Sequence, residues 1–531
     1  MAAATLTFHD TWRPKANPWV IAITVTLATF MEALDTSIVN VAMPHISGTL
    51  SASRDEATWV LTSYLVANAV VLPISGWIAN RIGRKRFYMS CVLCFTLASL
   101  LCGLAPTLPL LVFFRVVQGA AGGGLQPSEQ AILADTFPPE KRSMAFAVYG
   151  MAVVLAPALG PTFGGWIVDN ASWRWLFFLN IPVGIISLFL TQRLVEDPPY
   201  LAARRKKREG IDYWGLGLLV LFIGTLQMVL DKGQEDDWFS SSFITAATIA
   251  CVISFVIFLW RQLSVDHPIV DLRLFKRRNI AMTQFVMFMV GASLYSTTVL
   301  IPQYLQEVMG YSARQAGEAI SAGGLVLMVL FPIAGALAPK FDPRVLVATG
   351  FAITTYGLFR MTNINQNVYF GLAVSWRAVI AIGLPFLFIP INTLCYAGVP
   401  QEKNNEVSGL TALSRNVGGS VGISFVTTLL ARFSQRHQAM MIRHTVEGNT
   451  PFDRLKSGLT AVWKQNGAGD SGPGSALHAG AQIYGMIQAQ ARTLAYVDVI
   501  WILVALTGIL IPLPFLMNRP KKGARSAEPV H

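Results

Sequence analysis

The chain is poor in charge: Asp, Glu, Lys and Arg make up 13% of its 531 residues, where soluble globular proteins carry about 25%. That scarcity excludes an ordinary soluble chain, which would need charged side chains facing water over several domains. Cysteine is scarce as well. The five present (Cys91, Cys94, Cys102, Cys251 and Cys395) all fall inside apolar stretches. Cys91 and Cys94 have C-x-x-C spacing, but one pair on an apolar helix, without a second pair or histidine ligands, makes a poor zinc site. The five read as small, soft packing residues, and no metal is expected. No G-x-x-x-x-G-K-[ST] occurs, so nothing indicates that the chain hydrolyses ATP itself. Gly467, Gly469 and Gly472 fit G-x-G-x-x-G, yet no strand precedes them and no βαβ unit surrounds them, which excludes a dinucleotide site. The absence of a metal cluster, a nucleophile triad and a cofactor motif argues against an enzyme. The net charge of +12 does not indicate nucleic acid, because Lys and Arg gather in alternate loops rather than in one stripe.

What the chain has is hydrocarbon: 53% of it is hydrophobic, with a mean hydropathy of +0.50. About fourteen apolar stretches run roughly over 19–43, 57–79, 87–105, 109–133, 144–168, 175–192, 213–230, 241–261, 280–301, 316–338, 344–361, 370–397, 408–430 and 495–517. A bilayer core about 30 Å thick needs about 20 helical residues, and most of these stretches are long enough. The pattern predicts an all-α polytopic membrane protein with the lipid bilayer as its solvent. One set of connecting segments holds Arg13 and Lys15; Arg81, Arg84, Lys85 and Arg86; Lys141 and Arg142; the run 204–208; Arg273 to Arg278; Lys340 and Arg344; Lys403; and Arg519, Lys521, Lys522 and Arg525. The opposite set holds little beyond Arg54, Arg174, Lys232 and Arg314. The positive-inside rule makes the basic set cytoplasmic, with both termini inside and an even number of spans. The first stretch does not read as a cleaved signal peptide, being long, doubly acidic and without a small-x-small exit.

The chain reads as a duplication. Gly76-Trp-Ile-Ala-Asn80-Arg81 closes one span and Gly335-Ala-Leu-Ala-Pro-Lys340 closes a later one. Arg115 opens a span and is followed by Pro127; Arg377 opens another and is followed by Pro390. Glu140 and Lys141 lead to Gly150 and Gly160, as Glu402 and Lys403 lead to Gly409 and Gly419. Two parallel six-span repeats account for this order. We divide the chain into an N-terminal bundle (1–192), a basic linker with two inserted spans (193–265) and a C-terminal bundle (266–531). An extramembrane insertion at 431–492 offers either a docking surface or a simple external cap.

Charges inside the apolar stretches carry the chemistry. Asp35 lies about sixteen residues, or about 24 Å, into the first span, and a carboxylate there is costly. Glu32, three residues earlier, lies on a neighbouring part of the same helix face. A low-dielectric setting favours the neutral carboxyl, so such a pair can take up and release a proton. The alternative is an acid near the periplasmic end that merely meets water. Arg115 either snorkels to the cytoplasmic interface or points inward to a carbonyl or carboxylate; we take the inward reading. Glu129 is a further candidate for a polar cavity. In the fifth span Gly150, Pro157, Gly160, Pro161, Gly164 and Gly165 suit a kinked, closely packed hinge.

At these residues the chain resembles the major facilitator superfamily, and in particular its fourteen-helix drug:proton antiporters of the EmrB type, over nearly its whole length. Leu34-Asp35-Thr-Ser-Ile-Val-Asn40-Val-Ala-Met-Pro44 is similar to that group's first-helix motif. Gly76, Asn80, Arg81, Gly83, Arg84 and Lys85 resemble the superfamily's loop motif, which implies a tether in the outward-open state. Arg115-Val-Val-Gln118-Gly119 resembles the fourth-helix motif linked to proton transfer, and Gly150 to Gly165 the fifth-helix antiporter motif. The loop motif usually has an acid where this chain has Asn80, so the expected charge-relay contact with Arg84 is weakened, and with it the lock.

The resemblance implies two six-helix bundles plus two extra spans, and proton-coupled efflux of amphiphilic or lipophilic toxic compounds across a bacterial inner membrane by alternating access. Asp35, Glu32 and Arg115 would couple the proton; the gradient drives transport without a cofactor. Polar positions nominate Asn40, Gln118, Glu129, Gln303, Tyr304, Arg377 and Asn392 as cavity linings, with Gln303 and Tyr304 alternatively facing an external loop. A periplasmic adaptor and an outer-membrane channel would complete the exit path, through 431–492. Rival readings are an exporter or symporter of one metabolite or siderophore, and a non-transporting scaffold or sensor.

Overall fold

The structure is a computed structural model and describes residues 14–199, 201, 212–265, 268–366, 368–397, 399–446, 448–465 and 472–517. Arg13, the basic run 204–208, Gly467, Gly469 and the tail cations Arg519, Lys521, Lys522 and Arg525 lie outside the described residues. The N-terminal helices are α1 (Pro18–Thr49), α2 (Arg54–Ile82), α3 (Arg84–Leu104), α4 (Leu108–Gly122), α5 (Leu125–Thr136), α6 (Pro139–Asn170), α7 (Trp175–Phe178) and α8 (Asn180–Leu194). A hairpin of α9 (Tyr213–Lys232) and α10 (Ser242–Ser264) follows. The remaining helices are α11 (Arg278–Glu307), α12 (Ala313–Leu337), α13 (Pro343–Met361), α14 (Phe370–Cys395), α15 (Asn404–Ile442), α16 (Thr450–Gln465) and α17 (Gly472–Ile509). Their starts follow local chemistry. Ser53 with Glu56 and Ser312 with Gln315 form reciprocal capping boxes, and Pro18, Pro139 and Pro343 occupy first-turn positions where no N–H is missed.

Among the described residues, thirteen helices are long and apolar enough to cross a membrane. The expected stretch at 344–361 is a helix of 19 residues, α13, but arginines at both ends and threonines within dilute its apolar run. It is nonetheless packed into the bundle against α14 and α17, with Phe351, Leu358 and Met361 fully buried.

Two expected spans are interrupted by a break, though each as a whole is long and apolar enough to cross a membrane. The stretch 109–133 is α4 and α5 because Pro127 has no N–H for the Gly123 carbonyl, and a Cβ on Gly123 would strike the Asn68 carbonyl of α2. The stretch 175–192 is α7 and α8, with Pro182 withholding a donor from Phe178 in the same way. The described residues of 431–492 are mostly helical. α15 continues to Ile442 and α17 begins at Gly472, so helices carry through both expected boundaries. α16 leans on α17, where Trp463 donates to Gln482 at 2.8 Å.

Within the N-terminal half α1 packs on α6, α8 and α2, and α3 on α4 and α8; in the C-terminal half α11 packs on α15 and α14, and α12 on α14. The seam between halves is formed by α6 against α12 and α14, and by α15 against α2 and α5. Spans α1, α6 and α14 are the most buried, and α9 and α10 the least. α10 turns Ile249, Val252, Ile253, Val256 and Ile257 outward, as a lipid-facing peripheral helix does.

Candidate functional site

As residue numbers rise along α1, their partners on α4 and α5 fall: Thr26 meets Glu129, Glu32 meets Gln126, and Asp35 meets Gln118 and Arg115. The helices are therefore antiparallel, and α4 starts at the end where α1 finishes. Arg115 is consequently far from the start of α1, and both it and Asp35 are 0% exposed. The snorkelling reading of Arg115 fails on both counts.

Arg115 Nη1 donates to Asp35 Oδ2 at 2.6 Å and to Gln118 Oε1 at 2.9 Å, while its Nε donates to the Val60 carbonyl at 3.1 Å. The guanidinium lies over the Tyr64 ring, 4.1 Å from its centroid. The second carboxylate oxygen of Asp35 accepts from Gln118 Nε2 at 3.1 Å and from Asn180 Nδ2 at 2.7 Å. Asn180 also reaches Ser99 Oγ at 3.0 Å. Its position just past the α7–α8 break brings it here. Removing one partner of a buried ion pair costs about 3–5 kcal/mol. Only Arg115 Nη2 is left without an acceptor.

Glu32 sits in a separate cage. It accepts from Gln126 Nε2 at 2.6 Å, Asn68 Nδ2 at 3.2 Å and Tyr64 Oη at 3.3 Å. Gln126 in turn accepts from Arg415 Nη2 of the other half, whose Nη1 donates to Tyr149 Oη at 2.8 Å. Tyr149 also accepts from Gln130 at 2.7 Å. Glu129 accepts from Thr26 at 2.5 Å and leaves its Oε2 unpartnered. Glu129, Glu32 and Asp35 thus form a row of buried acids along the α1 face, and the middle one is wired to α15.

At the basic end, Gly76 lets α2 approach the Asn405 carbonyl so closely that a Cβ would collide with it. Arg84 pairs with Asp135 at 2.5 Å and bonds the Ala131 carbonyl. Asp135 also accepts from Asn404 Nδ2 at 2.7 Å, and Asn80 Oδ1 accepts from Asn405 Nδ2 at 2.6 Å. Asn80 thus bridges the two halves through an amide pair, and Arg84 finds its acid, Asp135, on α5. Gly83 takes φ 100° at the turn between α2 and α3, a conformation that favours glycine. The Lys85 amide bonds Asp197 at 2.8 Å, and Arg81 stacks on Trp77.

On α6, Gly160 and Gly164 lie against Ser37 and Ile38 of α1, and Gly150 faces Phe331 and Phe388 across the seam. Ser37 Oγ donates to the Pro157 carbonyl at 3.1 Å, which the proline-broken ladder leaves accessible. Pro161 packs on Gly317, while Gly165 has only Val41 near it.

The remaining cavity candidates scatter. Asn40 is exposed on α1, Gln118 belongs to the Asp35 cluster, and Glu129 is fully buried. Tyr304 is a core residue of the C-terminal half, donating to the Asn365 carbonyl at 2.6 Å with its ring against Tyr496. Gln303 bonds Glu307 one turn on. Asn392 is buried and donates to the Phe388 carbonyl of its own helix. None of these three reaches the acid row. Arg377 is buried and donates only to Thr297 and Thr298, at 3.5 and 3.4 Å. Asn180, Gln126, Tyr149 and Arg415 were not singled out by sequence. For Arg415 the signal existed, because it is a charge inside the apolar stretch 408–430.

Comparison with known proteins agrees with this arrangement. Residues 25–423 match the Major Facilitator Superfamily. The multidrug export protein EmrB of Escherichia coli K12 is 37% identical over 82% of this chain and 83% of its own. The fatty acid resistance protein FarB of Neisseria gonorrhoeae is 36% identical over 86% and 88%. The solved human organic anion transporter MFSD10 (TETRAN) shares the fold, with a TM-score of 0.56 over 78% of this chain and 94% of that one, at 13% identity. A helix bundle in two halves, with α2 packed closely on α15 and acids on its first helix, is thus explained by descent: the chain belongs to the major facilitator superfamily.

Proposed function

We propose that the protein is a proton-driven exporter of amphiphilic, drug-like compounds in a bacterial inner membrane, working by alternating access with no cofactor. The observation that carries this reading is the buried Asp35–Arg115 pair, held by Gln118 and Asn180. Protonating Asp35 abolishes its charge and leaves Arg115 with two neutral acceptors, so the tie between α1 and α4 weakens. α1 also packs along α6, the helix that forms the seam, and a change at Asp35 therefore bears on how the halves meet. Proton and cargo drive each other only if they favour opposite states, because equal affinity shifts nothing. Glu129 and Glu32 offer the proton intermediate stations along α1.

Fourteen spans with both termini cytoplasmic, in bundles 1–192 and 266–531 around the inserted 193–265, fit this reading and the alternation of basic segments. The helical extensions at 431–492, with α16, form a surface for a periplasmic adaptor leading to an outer-membrane channel. The similarity to EmrB supports broad cargo; that to FarB favours a narrower set of single-chain acids. Efflux from proteoliposomes under an imposed pH gradient tests the proposal. The parent protein exports drug-like compounds and Asp35→Asn falls to background; undiminished gradient-driven export by Asp35→Asn removes Asp35 from the coupling role.

A further inference from the structure

We propose that Arg377 is an anion-recognition site, taking the carboxylate of an amphiphilic monoanionic cargo with Thr297 and Thr298 beside it. This deepens the exporter reading and rests on it for the word cargo, though the site itself can be tested by binding alone.

The two halves place matching arginines in matching positions. Arg115 bonds a residue 80 positions earlier, Asp35 on α1; Arg377 bonds a residue 80 positions earlier, Thr297 on α11. In the first case the partner is a carboxylate at 2.6 Å. In the second it is a hydroxyl at 3.5 Å, joined by Thr298 at 3.4 Å. Neither hydroxyl can neutralise a guanidinium, and both already donate to carbonyls of their own helix. Arg377 Nε has no acceptor at all. Among the described residues of the C-terminal half no Asp or Glu is buried, so the interior of that half supplies no counter-charge.

The surroundings favour a ligand as the missing acceptor. The side chain of Arg377 lies against Gly323 of α12, where a Cβ would press on it. The next residue, Gly324, meets Leu155 and Ala158 of α6 across the seam. Arg377 therefore stands one helix behind the seam, at the depth of Pro157, whose carbonyl bonds Ser37 of α1. Parting of α6 from α12 opens that depth to a molecule held between the halves. A planar guanidinium matches a carboxylate with two parallel hydrogen bonds. An uncharged analogue gains nothing from it, and a cation is repelled.

The test is binding of dodecanoate, its methyl ester and dodecyltrimethylammonium to the full chain in lipid nanodiscs, together with pH-gradient efflux of the same probes. Dodecanoate should bind more tightly than the ester. Arg377→Gln should weaken it by about tenfold to a hundredfold, the worth of a hydrogen bond to a charged group, and leave the ester within about twofold. Thr297→Asp gives Arg377 an internal partner where the N-terminal half has Asp35; it should keep the fold and also exclude dodecanoate. Should Arg377→Gln not fold, Thr297→Asp alone decides. The proposal is overturned if the parent binds dodecanoate no better than the ester, or if the variants weaken all three probes alike. It is also overturned if Thr297→Asp folds and binds dodecanoate as the parent does. Dodecanoate binding that depends on Arg377, in a parent that moves no probe under a pH gradient, would overturn the exporter reading and uphold the site.

Discussion

The interiors of the two halves differ in charge although their helices correspond. The N-terminal half buries Glu32, Asp35 and Glu129 with Arg84 and Arg115; the described C-terminal half buries Arg377 and Arg415 and no acid. One repeat holds groups that can exchange protons, whereas the other holds permanent cations. A few positions, Asp35 against Thr297 above all, make the two bundles chemically unlike. Arg415 shows the consequence for the seam, since its partners Gln126 and Tyr149 both belong to the other half.

The largest effect that would break this contrast lies at the paired arginine. Arg115→Gln leaves Asp35 buried without its cation and should cost about 3–5 kcal/mol, read as a fall in the unfolding temperature of the purified protein, with gradient-driven efflux lost. Arg377→Gln removes a charge that has no counter-ion, so its unfolding temperature should stay level or rise. Equal losses in the two variants would mean that the halves treat their arginines alike. Next in size is the seam: Arg415→Gln cuts the wire from α15 to Glu32 and should slow efflux about tenfold, as a lost hydrogen bond to a charged group does, with Asp35→Asn added to show whether the two effects share a step. Gly76→Val comes third. Its Cβ meets the Asn405 carbonyl, and an overpacked contact costs about 1–3 kcal/mol, so cysteine pairs across α2 and α15 should cross-link less readily than in the parent.

The smallest effect sharpens the contrast with the peripheral hairpin. Burial raises the affinity of Asp212 for its proton, but Arg261 at 2.6 Å, the Gly215 amide and Gln262 outweigh that and hold its carboxyl below the usual range. A depressed acid contributes stability above its unfolded value, about 3.9, and loses it as pH falls through the lower folded value. Asp212→Asn should therefore flatten the acid limb of thermal stability slightly and leave efflux at neutral pH unchanged; a changed efflux rate would show that the hairpin takes part in the cycle.

The bundle was legible because hydrocarbon length is legible: most of the expected stretches became helices within a few residues. Asp35, Glu32 and Arg115 were legible for a related reason, since a charge in an apolar run has few destinations. Asn180, Gln126 and Tyr149 were not. A neutral polar side chain on a membrane helix can face lipid, water or a partner at modest cost, and only the packing of α5, α6 and α8 decides which. The same limit applies to Tyr304 and Gln303, which bond the Asn365 carbonyl and Glu307, and to Asn392, whose Nδ2 bonds the Phe388 carbonyl while its Oδ1 has no partner. The breaks at 123–124 and at 179 were written in Pro127 and Pro182, but the apolar run around each hid them. Asn80 could be judged only by the acid it replaces; its neighbour across the seam, the Asn405 amide, was not legible.

That amide pair has a practical meaning for the transport cycle. A clasp made of Asn80 and Asn405 carries no net charge, so neither acidity nor dissolved salt can loosen it directly. Under the proposed role of Asp35, whatever parts α2 from α15 at this clasp has to reach it through the helices rather than through a charge of its own.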